Sequence, residues 1–184
     1  MKKNIIILAL LLLIIGCAKN LTNHTLTNNN KITAAFNFGK VESLAKTYSK
    51  DLMLHSIHSD NVDFKGYAQK WTYIYSSETD SDYCFYATLK KVEFDSTLPK
   101  NIGSTFVSSP WFDSNKALGI AEKNGGEDFR LNNLEYKIEA SLAKPVVPNS
   151  ATFWYITYRS KSDKTKRLML GIDARSGEVT LKYP

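Results

Sequence analysis

Phe153-Trp-Tyr-Ile-Thr-Tyr158, Leu168-Met-Leu-Gly-Ile172 and Glu178-Val-Thr-Leu-Lys-Tyr183 are the runs that decide the fold. The first is aromatic and β-branched, which suits a pleated, half-buried strand. A charged tip, Lys161-Ser-Asp-Lys-Thr-Lys166, separates it from the second. Asp173-Ala-Arg-Ser-Gly177 then supplies turn residues, with glycine where positive φ is wanted. These runs predict a three-strand antiparallel meander over residues 153–183. An echo lies upstream. Trp71-Thr-Tyr-Ile-Tyr-Ser-Ser77 matches Trp154-Tyr-Ile-Thr-Tyr-Arg-Ser160 at Trp, Tyr and the final Ser, and Val92-Glu-Phe-Asp95 echoes Leu170-Gly-Ile-Asp173. A duplicated αβ unit is expected.

The rest of the chain fits that expectation. Val41, Leu44, Ala45, Tyr48 and Leu52 follow the spacing of an amphipathic helix. Leu52-Met-Leu-His-Ser-Ile-His58 reads as a strand, and residues 71–77 and 83–94 as a hairpin around the acidic tip Glu78-Thr-Asp-Ser-Asp82. Residues 102–107 are the candidate fourth strand. Ser108-Ser-Pro110 marks the boundary, and Asp113 or Ser114 can cap a second helix over 115–124, which Asn124-Gly-Gly126 should stop. Leu134, Tyr136, Ile138, Ala140 and Leu142 alternate with polar residues, the mark of a strand with one dry face. The expected class is α+β: two repeats of one helix on a four-stranded antiparallel sheet, spanning 34–109 and 110–184.

The first residues set the compartment. Met1-Lys-Lys is a basic start, and the apolar run over 5–15 is shorter than the about 20 residues that a membrane span needs. The run closes on Leu13-Ile-Ile-Gly-Cys17, which resembles the bacterial lipobox. That resemblance implies a signal peptide over 1–16 and a diacylglyceryl group on the Cys17 thiol. Residues 17–33, rich in Asn and Thr, would be the acylated Cys and a disordered tether. Two or more acyl chains anchor stably where one does not. The expected location is therefore extracytoplasmic, on a bacterial membrane, facing the periplasm or the cell surface.

The helix, the aromatic strand around Trp and the turn Ile172-Asp-Ala-Arg-Ser-Gly-Glu-Val179 look like PepSY and PepSY-like domains. The tandem arrangement, over residues 41–183, is similar to the β-lactamase-inhibitor protein fold. The first copy departs from the pattern, since Phe94-Asp-Ser-Thr-Leu-Pro99 has the Asp without the Gly. The resemblance implies non-catalytic binding of a protein partner, with protease inhibition or regulation among the implied roles.

Composition agrees with that. The net charge of +6 over 184 residues includes Lys2 and Lys3, and no nucleic-acid module accompanies it. Lipidation of Cys17 leaves Cys84 alone, in a strand-like run where a buried inert thiol is expected. His55 and His58 with Asp60 and Asp63 lack the four-ligand pattern of structural zinc, so neither metal nor cofactor is expected. Catalytic motifs are missing from the sequence. Candidate partner-binding residues are the basic tip, Arg159, Lys161, Lys164, Lys166 and Arg167, and the aromatic row Trp71, Tyr73 and Tyr75. A membrane-anchored binding lipoprotein leads; a structural or assembly lipoprotein of the cell envelope follows, and an envelope hydrolase comes third. Cys17→Ala should shift the chain from the membrane fraction to precursor or soluble material on fractionation. Normal processing with retained membrane association would refute the anchor.

Overall fold

The computed structural model describes residues 30–77, 82–98, 104–147 and 149–184. The expected signal peptide, Cys17 and most of the expected tether lie outside the described residues, as do Glu78 and Asp80 of the acidic tip and Ile102 of the candidate fourth strand. Residues 30–33, read as the end of the tether, belong to the fold. Ile32 is fully buried and pairs with Ala68 through N–O contacts of 2.8 and 2.9 Å.

Helix α1, Phe38–Tyr48, turns Val41 and Ala45 inward. Four strands follow: β1 (Met53–Ser59), β2 (Trp71–Ser76), β3 (Asp82–Ala87) and β4 (Val92–Leu98). A two-residue strand, β5 (Ser104–Thr105), precedes helix α2 (Ser114–Ala121). The chain continues through a kinked segment, Glu122–Gly126, into the short helix α3, Glu127–Asn132. Strands β6 (Tyr136–Pro145), β7 (Phe153–Ser160), β8 (Arg167–Asp173) and β9 (Val179–Tyr183) complete the described elements.

The fold is α+β, with one antiparallel sheet in the order β4-β3-β2-β1-β6-β7-β8-β9 and β5 joined to the side of β6. Two separate sheets were expected, but β1 pairs with β6 (Ile57 opposite Leu142, Ser59 opposite Ala140) and makes them continuous. Helices α1 and α2 lie on the same face. There Trp71 and Trp154 meet edge to face at 6.1 Å, and Phe85, Tyr73, Tyr158 and Leu170 extend the core to either side. Among the described residues, the buried core runs from Ile32 to Ala174.

Several boundaries differ from the sequence reading. Residues 83–94 are two strands, because the Thr88 amide and the Lys91 carbonyl close a turn at 2.9 Å, and the fourth strand is 92–98. Val92 to Asp95 therefore lies on β4, whereas its sequence echo lies on β8, next to β7; the echo does not mark equivalent places in the sheet. Asn124-Gly-Gly126 does break the helix, since Asn124 and Gly125 (φ +114°) leave the helical region, but a second helix, α3, starts directly after the kink. Leu134 is 94% exposed, because β6 begins two residues later than the alternation suggests.

The start of α2 is tied to the segment leading into α1 and to the connection between β1 and β2. Asp113 caps the helix by accepting from Ser114 N at 2.7 Å, and the same oxygen accepts from Ala35 N at 2.9 Å. Buried Ser114 donates to the Gly66 carbonyl at 2.8 Å and accepts from Ala34 N at 3.0 Å. Gly66 sits at φ +87°, and a Cβ there would lie 2.5 Å from the Asn115 Cα. Ser114→Ala should therefore leave two buried backbone groups unpaired and cost about 2 kcal/mol. Urea unfolding checks this; a change below a few tenths of that value would show that the node is not structural.

Candidate partner-binding surface

The β7–β8 hairpin ends in a turn organised by Asp163. Its carboxylate accepts from Thr165 N at 3.0 Å and from the Thr165 hydroxyl at 2.6 Å. Those bonds hold the Asp163 carboxyl below the usual carboxylate range. With the loop closed on its own acid, Lys161, Lys164, Lys166 and Arg167 are left exposed around it. Lys166 approaches Asp163 only to 3.9 Å and is itself mostly solvated. Such a contact contributes little to stability.

Arg159 and Arg167 are directly opposite each other across β7 and β8. Like charges so placed destabilise a sheet. Arg159 has partial compensation, since its Nε donates to Glu139 at 3.2 Å while Lys137 holds the other Glu139 oxygen at 3.2 Å. Burial raises the Glu139 carboxyl, but the donors outweigh it and the group rests below its ordinary value. No acidic side chain pairs with Arg167 among the described residues.

Beside this tip, α3 and β9 enclose an open groove of about 540 Å³. Phe129, Leu168 and Pro184 give it apolar walls, and Lys166, Arg167 and Lys182 place cations at its margin, with Asp128 among them. Lys182 was missed in the sequence. It looks like one more polar residue in an alternating strand, and only the placing of α3, whose Phe129 meets Tyr158 of β7 at 5.9 Å, puts it on the wall of this groove. Glu122 fixes that packing, accepting from Arg130 Nε at 2.9 Å and from the Tyr158 hydroxyl at 2.7 Å.

The sheet face opposite the helices bears a strip that continues from the cations. Phe153 and Tyr155, with rings 6.1 Å apart, are half-buried on β7; Met169 and Leu181 lie alongside on β8 and β9, and Tyr183 is 52% exposed. Gly171 lets Leu181 lie close over β8, since a Cβ there would stand 2.8 Å from the Leu181 Cβ. Apolar side chains bordered by guanidinium groups suit an amphipathic, acidic surface.

The aromatic row expected to face a partner does not. Trp71 and Tyr73 are fully buried and Tyr75 is 1% exposed, all on the face that the helices cover. Strand alternation places them on one face, as expected, but that face is the covered one. Asp82 of the acidic tip is likewise buried and bonded to Ser76, so this acid does not face outward.

The opposite face of β1–β4 carries a second groove, of about 520 Å³, where His58, Asp60, Lys70, Cys84 and Asp95 gather. Burial pushes the Cys84 thiol up, with the Asp95 carboxylate adding to it, which is the reverse of an activated nucleophile. Burial pushes the His58 imidazole down against the pull of Asp60. His55 is buried at a bulge in β1, at 3% exposure. Among the described residues no three His, Cys, Asp or Glu come together as a metal site, and no helix is long and apolar enough to cross a membrane.

Compared with known proteins, the chain matches no family model, no curated protein and no solved structure. The surface must therefore be judged on its own physics. Arg167→Gln should relieve the opposed pair and raise stability by about 0.2–1 kcal/mol in urea unfolding. A loss of stability would show that the guanidinium holds the fold rather than facing outward for a partner.

Proposed function

We propose that this chain is a membrane-anchored, extracytoplasmic lipoprotein that binds a protein partner without catalysis. Anchoring is through an acylated Cys17, as the lipobox resemblance implies. The body is taken as two PepSY-like repeats. Supporting this, the strand order runs outward in both directions from β1 and β6, and Trp71 and Trp154, the residues of the sequence echo, meet at its centre. A role in inhibiting or regulating a protease of the cell envelope is the form of binding that the resemblance favours.

The observation that carries the reading is the Phe153, Tyr155, Met169, Leu181 and Tyr183 strip with the unneutralised Arg167 at its end. An envelope spacer has no need of half-exposed aromatics beside an opposed arginine pair. Apolar contact supplies holding energy, while exposed cations steer encounter. The partner is thus expected to present an acidic rim around an apolar patch.

Reversal of Lys164 and Lys166 to Glu tests the steering. The partner is first captured by cross-linking in intact envelopes, and its association rate is then measured across a salt series. At low salt the double reversal should slow association by about tenfold. That penalty should fade as ionic strength shortens the reach of surface charge to about 8 Å. Equal rates at low salt would reduce the tip to solvation, and anionic vesicles in parallel would show whether lipid rather than protein is the target.

A further inference from the structure

Strand β9 is the last strand of the sheet beyond β8, and no described strand pairs with its outer edge. Its register fixes what the two sides of that edge carry. Leu181 lies opposite Gly171 and Tyr183 opposite Met169, on the open face. Lys182 lies opposite buried Leu170, on the helix side. A Cβ on Gly125 would stand 3.3 Å from the Lys182 ammonium and 3.6 Å from Leu168, which places that ammonium in the groove beside α3. The edge strand thus shows apolar side chains to one side and a cation to the other.

An unpaired edge is a template for another strand, and folded chains blunt it with charge, proline or a bulge. On β9 the blunting is confined to the ends and to one charge. The register shift falls at Thr180 and Pro184 follows the last residue, but Leu181, Lys182 and Tyr183 between them pair regularly with β8. Lys182 and Tyr183 are exposed and Leu181 is half-buried. The neighbouring charges then decide which strand fits. Lys166, Arg167 and Lys182 line the groove, with Asp128 the only acidic side chain among its described lining residues. No ion pair joins Arg167 or Lys182 to an acid among the described residues. A second copy of this chain would bring further cations to this edge, whereas an acidic strand would neutralise those already there.

We infer that the partner docks by strand addition: an extended segment pairs with the outer edge of β9, its alternate side chains acidic toward Lys182 and apolar toward Leu181 and Tyr183. This rests on the reading of the β7–β9 face as a protein-binding surface, and it names the form the partner takes there. Successive side chains of a strand point to opposite faces, so one segment meets both requirements at once. Main-chain hydrogen bonds hold such a segment, and its alternate side chains select it. Its apolar set extends the strip of Phe153, Tyr155, Met169, Leu181 and Tyr183 by one strand, at a spacing of about 4.8 Å.

The test uses the full chain in mild detergent. The probe is a fluorescein-labelled peptide of about seven residues in which valine or phenylalanine alternates with glutamate, the length of an ordinary strand. Wild type should raise its anisotropy. Lys182→Glu should weaken binding about tenfold at low salt, and a probe with lysine in place of glutamate should recover the affinity on that variant. Lys182 is exposed, so the substitution spares the core. Two further probes are N-methylated on opposite sets of alternate amides. One should bind like the parent and the other at least about tenfold more weakly, because only alternate N–H groups of an added strand face its neighbour. No binding to wild type, equal binding to Lys182→Glu, or equal affinities of the two methylated probes would overturn strand addition. Self-association of wild type that excludes the probe would overturn it too, by giving the edge to a second copy. The titration needs no partner, so its outcome is separate from that of capture in envelopes. A captured partner that the probe does not displace would overturn strand addition and leave the binding reading standing.

Discussion

The structure depends on the meeting of Trp71 and Trp154 beneath the β1–β6 seam. Each indole fills the centre of the core and spends its N–H on a backbone carbonyl of the segment leading into a helix. Trp71 donates to Ile32 O at 2.9 Å, and Trp154 donates to Phe112 O at 2.8 Å. A buried indole without such a partner would carry a desolvation penalty; with it, the ring also fixes where the chain must enter α1 and α2. Trp111 then packs on Trp154 at 6.3 Å from the connector. The contact that joins the halves of the sheet thereby places both helices.

The same economy runs through the rest of the core. Large amphipathic rings supply apolar area, and their polar ends are tied to backbone or acid: Tyr73 to Ala34, Tyr158 to Glu122. Gly126 belongs to this arrangement, since a Cβ there would fall 2.3 Å from the Tyr158 hydroxyl. The kink before α3 is thus shaped around a side chain of the sheet. Against that background Tyr75 is an exception, equally buried but with no hydrogen-bond partner for its hydroxyl among the described residues.

Much of the sheet was legible because its alternation is strong. β7, β8 and β9 fall where the aromatic and branched runs put them, and the α2 cap on Asp113 follows from residue chemistry. What could not be seen has particular causes. The turn at Thr88 contains neither Gly nor Pro; the Thr88 hydroxyl accepts from Lys91 N at 3.2 Å, and Asn37, distant in sequence, donates to the Thr88 carbonyl at 2.8 Å. Asn124-Gly-Gly126 does break the helix, but a stop signal says nothing of the second helix that starts directly beyond it. Trp71, Tyr73 and Tyr75 could be assigned to one face but not to the covered one, because periodicity fixes relative orientation only. Arg159 and Arg167 were readable as basic, but their direct opposition required the register of β7 against β8.

That opposition bears on how the two faces of the sheet are related. Register is strongly specified where one face is buried, because a slip of one residue would exchange core and solvent residues along the whole strand. Trp154, Ile156 and Tyr158 hold β7 in place from beneath, and Leu168, Leu170 and Ile172 do the same for β8. Phe153, Tyr155 and Arg159 on the other face then have no freedom to drift from Met169 and Arg167, so a strained arrangement of like charges persists. Rigid placement also lowers the ordering cost that a flexible surface would meet on binding. The core thus does more than stabilise this chain: it sets, residue by residue, what the open face presents.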